Sequence, residues 1–414
     1  MASTRYVPAI LVGRAVRFIA RLRKRDGGSA IPGLVVNRIA PGFLPHALNS
    51  FPDGLVIVSG SSGKSTTTKM IVAILRAHGR TVFTNPSTAN ISQGLTSALL
   101  EKASVTGRLS DRMAVLEMDE GHGALVARDL DPHTVILTNV MTDQIDRFFE
   151  SEQVAELLER IAERATGTVV YNADDALLAE LADRLKVATV GFGASPEVLA
   201  AAPRGLGYAE QVRSRPRATV EVTAVHGRAA TLDWDGVSMA VELPTRGIHY
   251  AVDAAAAVCG ASEVLGPDFD ATVAVDAIST LEPVFARGEV TRVRGMPVEF
   301  VLVQNPASFQ LNVDELDPEL DQVLMAIGSD VRDPSYFWPV DLSAMPPVTV
   351  VTGSKAHELA LQLEYQGVAV GALEPDLATA IDTFFALPAP KHGIKTVIFS
   401  ADSMRRTRTH LGLA

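Results

Sequence analysis

Cysteine is nearly absent from this chain of 414 residues: Cys259 stands alone. A single thiol excludes a disulfide framework and a cysteine-rich zinc site, and it suits a reducing compartment such as the cytoplasm. Long apolar runs are missing too. No stretch approaches the roughly 18 uninterrupted apolar residues that would mark a membrane span. No small-residue cleavage site follows the basic, apolar N-terminus, so a secretory leader is not expected. An excess of positive charge is also lacking: 37 Lys and Arg stand against 48 Asp and Glu, a formal net charge of −11. That balance argues against general nucleic-acid binding, which needs a basic surface. Hydrophobic residues, by contrast, make up 47% of the chain, enough for a large core spread over two or three domains.

The most informative stretch runs from Val56 to Thr68. A β-branched run, Val56-Ile57-Val58, enters Ser59-Gly60-Ser61-Ser62-Gly63-Lys64-Ser65-Thr66, and Lys69, Met70, Ile71, Ile74 and Leu75 then recur at helical spacing. Strand, small-residue turn and helix in this order predict a phosphate loop. Small residues let backbone N–H groups approach phosphate oxygens, and the helix adds the positive end of its dipole. Lys64 can reach the β- and γ-phosphates, and the hydroxyl of Ser65 or Thr66 can hold Mg²⁺. Val58 stands where the longer phosphate-loop pattern has glycine, so the motif is the shorter Gly-x-x-Gly-Lys-Ser-Thr.

Further strands are expected at 81–85, 113–116, 134–137 and 168–171, alternating with helices, which indicates a mainly parallel sheet covered on both faces. The strand at 113–116 ends in Glu117-Met118-Asp119-Glu120. Acids at a strand's carboxyl end border the crevice where open α/β sheets bind ligands, which makes Glu117 the best Mg²⁺ ligand candidate. Asn139 ends the strand at 134–137 and is counted with the nucleotide site. Residues 218–225, 229–234 and 238–243 read as antiparallel strands with turn signals at His226-Gly227 and Asp235-Gly236. An alanine-rich helix over 251–265 holds Cys259, expected to be packed rather than reactive. Beyond Arg287 a second alternation begins, with strands at 298–303, 324–327, 348–351 and 396–399. Residues 5 to 25 carry seven basic residues and no acid, interleaved with apolar ones. They predict an amphipathic helix that either contacts an anionic membrane surface or packs on the body with its arginines in water.

The phosphate loop, the strand-end Glu117 and the late change of domain resemble the Mur ligase family of ATP-dependent amide ligases. Its MurT branch is similar in Glu117-Met118-Asp119-Glu120-Gly121, Asp143-Gln144-Ile145-Asp146-Arg147, Tyr171-Asn172-Ala173-Asp174-Asp175, Gln304-Asn305-Pro306-Ala307 and Arg332-Asp333-Pro334-Ser335-Tyr336. The resemblance implies an α/β fold in three parts: a basic N-terminal segment (1–45), a central ATP-binding domain (46–287) with a parallel sheet and a small antiparallel section, and a smaller Rossmann-like C-terminal domain (288–414). It implies the cofactors ATP and Mg²⁺. It also implies a glutaminase partner resembling GatD, and a D-glutamate α-carboxylate of the lipid II stem peptide as the group amidated. Gly60, Ser61, Ser62, Gly63, Lys64, Ser65, Thr66, Asn139, Asp253, Arg287 and Asn305 then belong to the nucleotide site, with Ser65 and Glu117 on the metal. Asp333 becomes the acid lent to the partner's Cys–His pair, and its other reading is a loop acid capping a turn before Pro334.

Several positions depart from that family. The region 204–217 has no cysteine, so the family's four-cysteine zinc ribbon is not expected. Asp253 replaces an asparagine at a position that the resemblance assigns to adenine, Gln304 replaces a lysine, and Pro339 replaces an acid. Lys186 is the only lysine between Lys102 and Lys355 and lies in no matching motif, so no carbamylated lysine is assigned. Two competing readings follow: a related ligase acting on a different carboxylate, and a non-catalytic nucleotide-binding scaffold.

Overall fold

The computed structural model describes residues 4–23, 30–86, 89, 91–104, 106, 109–141, 151–202, 204–210, 212, 214–283, 287–332 and 337–413. Three helices come first, α1 (Val7–Arg23), α2 (Ile31–Ile39) and α3 (Phe43–Leu48). Strands and helices then alternate: β1 (Leu55–Ser59), α4 (Lys64–Ala77), β2 (Val82–Thr84), α5 (Ser92–Lys102), β3 (Met113–Glu117), α6 (Glu120–Ala127), β4 (Thr134–Leu137), α7 (Ser151–Ala162), β5 (Thr168–Asn172), α8 (Ala176–Arg184), β6 (Ala188–Ala194) and α9 (Pro196–Ala200). A meander of β7 (Ala218–His226), β8 (Ala229–Trp234) and β9 (Val237–Glu242) leads to α10 (Ile248–Leu265) and α11 (Ala271–Ser279). The remainder comprises β10 (Arg287–Val293), β11 (Met296–Leu302), α12 (Pro306–Asp314), β12 (Val323–Ala326), β13 (Val348–Thr352), α13 (Ala356–Tyr365), β14 (Val370–Glu374), α14 (Leu377–Ala386), β15 (Lys395–Phe399) and α15 (Ala401–His410).

The first nine strands form one sheet in the order β2-β3-β1-β4-β5-β6-β7-β8-β9. Pairing is parallel from β2 to β7 and antiparallel through β7, β8 and β9. The four inner strands β1, β3, β4 and β5 are buried at every position, as expected of parallel strands covered on both faces. The alanines of α10 let it lie close against one face. A Cβ built on Gly260 would fall 2.4 Å from Ile136 Cδ1, so any larger residue there would displace that side chain. Cys259 is fully buried in this helix, and burial pushes its thiol pKa up, which leaves it a packing residue. The meander closes at Asp235-Gly236 with φ values of 47° and 88°, the backbone of a type I′ hairpin turn.

The second sheet has the order β10-β11-β15-β12-β13-β14. It is parallel except for β10, which runs antiparallel to β11. Strands β6, β10 and β14 carry no clear sequence signal. β6 is half glycine and alanine, and β14 leaves its middle residues exposed. The two domains are joined by Arg204, which pairs with Asp314 at 2.7 Å and also with Asp341, and by Arg246, 3.1 Å from Glu299. Gly207 packs so closely on α12 that a Cβ there would lie 2.6 Å from Ala307 Cβ.

Asp175 ties β5 and β4 together. It caps α8 by accepting from the N–H groups of Leu177 and Leu178, and its other oxygen accepts from Val140 N at 2.6 Å. Burial pushes its carboxyl up to about 7 against the pull of those three donors. The folded state therefore holds a proton that the unfolded chain releases, and this contribution to stability is present below the unfolded carboxylate range and lost as pH rises through about 7. In urea melts at a series of pH values, wild type should lose stability across that window by up to about 1.4 kcal/mol per pH unit relative to Asp175→Asn. Parallel curves for the two proteins would contradict it.

Candidate active site

The turn between β1 and α4 is possible only with its glycines. Gly60 has φ 134° and Gly63 φ 79°, values costly for any residue with a side chain. A Cβ on Gly60 would lie 2.2 Å from Thr138 Oγ1, and one on Gly63 would lie 2.1 Å from Asp253 Oδ1. The turn is held from the β4 side. Asn139 accepts from Ser61 N through its carbonyl at 2.9 Å and from Ser62 N through its side-chain oxygen at 2.8 Å. Thr138 Oγ1 donates to Ser62 O at 2.6 Å, and Ser61 Oγ accepts from Met141 N at 3.1 Å. Asn172 donates to Thr138 O and to the Tyr208 hydroxyl, so the end of β5 braces the same corner.

The β3 side supplies charge. Lys64, the first residue of α4, donates its Nζ to the carbonyls of Gly60 and Ser61 and lies 3.5 Å from Glu120 Oε2. Glu120 is fully buried, so the pair is shielded from solvent screening. Glu117 ends β3 beside Val58 of β1 and is also buried. Its backbone is clamped by Asn85, which accepts from Glu117 N and donates to Glu117 O, both at 3.0 Å. Asp119 caps α6 by accepting from Gly121 N and His122 N. The three acids of one motif thus separate: Glu117 borders the loop, Glu120 faces Lys64, and Asp119 holds a helix end.

Above the loop lies a cleft of about 600 Å³, open mouth included, between the two domains. Ser62, Gly63, Thr66, Asn139 and Asp253 line one wall, together with Tyr208, His249 and Tyr250. Gln304, Ser308 and Asn312 line the other. Asn305 has a backbone role at this wall. It caps α12 in a reciprocal box, accepting from Ser308 N at 2.6 Å while Ser308 Oγ accepts from Asn305 N, and its neighbours Gln304 and Ser308 face the cleft. Asp333, Asp143, Asp146 and the side chain of Arg287 lie outside the described residues.

The polar lining fits a nucleotide and a hard cation. Thr66 Oγ1, in the first turn of α4, is buried without a hydrogen-bond partner although its residue borders the cleft. Ser65 and Glu117 offer hydroxyl and carboxylate oxygens, the donor types that Mg²⁺ takes. Among the described residues no group of three or more His, Cys, Asp or Glu could hold a metal by itself. An ion here would need oxygens from phosphate and water, as Mg²⁺ sites commonly do.

Residues 58–261 match the description Mur ligase middle domain. Among solved structures, MurF ligase from Thermotoga maritima in complex with ADP superimposes with a TM-score of 0.68 at 18% identity, covering 92% of this chain and 83% of that one. This chain has the Mur ligase fold. The folylpolyglutamate synthase of Mycobacterium tuberculosis, solved with ADP and AMPPCP, shares it with a TM-score of 0.64 at 16% identity over 97% of this chain and 99% of that one. By sequence, the Mur-type central domain is similar to the lipid II isoglutaminyl synthase (glutamine-hydrolyzing) subunit MurT of Streptococcus pneumoniae. Identity there is 34% over 170 residues, 41% of this chain and 36% of that protein. The match thus spans about a third of the relative's length.

The sequence motif located the glycine turn between strand and helix and put Glu117 at a strand's carboxyl end. It did not single out Glu120 as the partner of Lys64, nor Tyr208, His249 and Asn312 as cleft residues. Glu120 was at least within a recognised acidic run. Tyr208 lies in an irregular segment with no periodicity, and Asn312 reaches the cleft only because the second domain docks there.

Gly63→Ala should destabilise the protein by about 2 kcal/mol, from a left-handed alanine and from overlap with Asp253. Adding Asp253→Ala should recover the overlap part only, giving non-additive urea midpoints. Strictly additive losses would show that the two residues do not meet.

Proposed function

We propose that this chain is the synthetase subunit of a glutamine-dependent amide ligase, which activates the α-carboxylate of D-glutamate in the lipid II stem peptide and amidates it to D-isoglutamine. The observation that carries the reading is the glycine turn with Lys64 and Glu120 beneath it and buried Glu117 beside it, opening into a cleft between two domains. A carboxylate is a poor electrophile. Transfer of the γ-phosphoryl group of ATP to one of its oxygens gives an acyl phosphate and releases ADP. Ammonia then attacks the acyl carbon, and phosphate departs. Most of this chemistry is positioning and charge stabilisation. The N–H groups of Gly63 and the first turn of α4 would bind the phosphates, Lys64 would exchange its loop carbonyls for phosphate oxygens, and Asn139, by holding the Ser61 and Ser62 N–H groups, keeps the loop in shape. Mg²⁺ held by Ser65 and Glu117 would supply further positive charge against the phosphates. The family resemblance assigns Arg287 to the same phosphates.

The ammonia would come from a glutaminase resembling GatD, whose Cys–His pair Asp333 would complete by orienting the histidine. A lipid-linked acceptor would bring the enzyme to the inner face of the membrane. Asp253 and Gln304, both bordering the cleft, support a second reading, a related ligase that takes another carboxylate.

The test is ATP-dependent amidation of a soluble D-Glu-containing muropeptide, followed by mass spectrometry and ADP release. Lys64→Ala should lower turnover on the order of 10²–10³-fold. Turnover only on other acids would favour the second reading, and tight ATP binding without turnover would exclude both. With the glutaminase present, Asp333→Asn should leave ammonium-driven synthesis intact and reduce glutamine-driven synthesis by about 10²-fold or more. Equal loss with both nitrogen sources would refute the role of Asp333.

A further inference from the structure

The first two helices are turned the wrong way for a surface surrounded by water. In α1 the outward stripe Pro8, Leu11, Val12, Ala15, Phe18 and Ile19 is exposed at every position, and it follows the helical period. Phe18 is 65% exposed and Leu34 of α2 57%. Among the described residues fourteen large apolar side chains are exposed, and seven of them lie on α1 and α2: Leu11, Val12, Phe18, Ile19, Ile31, Leu34 and Ile39. That concentration marks an interaction surface rather than the usual scatter of single residues.

The two helices are firmly seated, so the exposure does not come from a loose terminus. Ile10 and Val36 are fully buried. Gly33 lies so close to α5 that a Cβ would fall 1.9 Å from Gln93 O. Asn37 bonds Ser92 and Thr96 at 2.7 and 2.6 Å. The arginines expected to point into water are drawn to the rim instead: Arg14 donates to Ala103 O at 2.9 Å, and Arg17 pairs with Glu101 at 2.6 Å.

Charge identifies the occupant. The first 52 residues hold eight Lys and Arg and one acid, Asp26, in a chain whose net charge is −11. Neither α1 nor α2 contains an acid, and exposed Arg5 and Arg38 stand at the two ends of the pair. An outward apolar stripe on two helices that carry cations and no acid matches the interfacial region of an anionic bilayer, where apolar side chains enter the acyl boundary and arginines meet lipid phosphates. No helix among the described residues is long and apolar enough to cross a membrane, so contact through this face is interfacial. We propose that the paired outer faces of α1 and α2 form a peripheral docking surface for anionic lipid. The inference rests on the proposed function in one respect, that a lipid-linked acceptor places the enzyme at a bilayer.

The full chain should co-sediment with vesicles containing phosphatidylglycerol at least about tenfold more than with pure phosphatidylcholine, and added salt should weaken the binding. Phe18→Ser with Leu34→Ser, both exposed, should cut binding by a similar factor. Leu361→Ser, an equally exposed apolar site on the second domain, should not. Binding unchanged by the paired substitution, or no preference for anionic lipid, would overturn the proposal. So would light scattering that shows a vesicle-free dimer broken by the same pair, which would assign the face to a second copy of the chain. Amidation of the soluble muropeptide separates this proposal from the proposed function. Active enzyme that ignores vesicles sinks the docking surface alone, and vesicle binding by an enzyme without ligase activity sinks the catalytic reading alone.

Discussion

The site depends on one constraint: a four-residue turn must carry the chain from a buried central strand into a helix at the mouth of the cleft. Two left-handed glycines make that path possible, and neighbouring backbone and side chains occupy the space that any Cβ would need. Thr138 and Asn139 from β4 grip the turn on one side. Lys64 and Glu120 close it on the other. Because β1 lies between β3 and β4, the strand order itself brings both grips to the same few residues. This is the crevice position that open α/β sheets reserve for ligands.

The second domain completes the cleft rather than merely adjoining it. Gln304, Ser308 and Asn312 reach it because α12 is capped by Asn305 and docked against Gly207. The Arg204 and Arg246 ion pairs join the domains, and polar contacts of this type at a domain junction permit relative motion. Asp253 sets a carboxylate against the glycine turn. An acceptor-only group there differs from an amide, which can also donate.

Legibility followed distance along the chain. The strand–turn–helix from Val56 to Leu75 could be read because its apolar spacing, glycines and lysine are contiguous. Buried strands such as Thr134–Leu137 were readable as β-branched runs. Strand β6, with two glycines and two alanines, and β10, an antiparallel edge, gave no such pattern; they exist because a neighbour offers a ladder. The Arg294-Gly295 turn, with φ values of 51° and 84°, is as strict a hairpin as Asp235-Gly236 but lacks the Asn or Asp that usually announces one.

Composition and local pattern alone determined the α/β class, the glycine turn between β1 and α4, the packed thiol of Cys259 and the amphipathic character of the N-terminus. These are properties of neighbouring residues and their periodicity. Tertiary structure decided which acid faces Lys64, that Asn305 caps a helix beside the cleft, and which side of α1 looks outward. Each of these depends on the register and docking of segments far apart in sequence, and a helix's apolar stripe does not record whether protein or solvent will meet it.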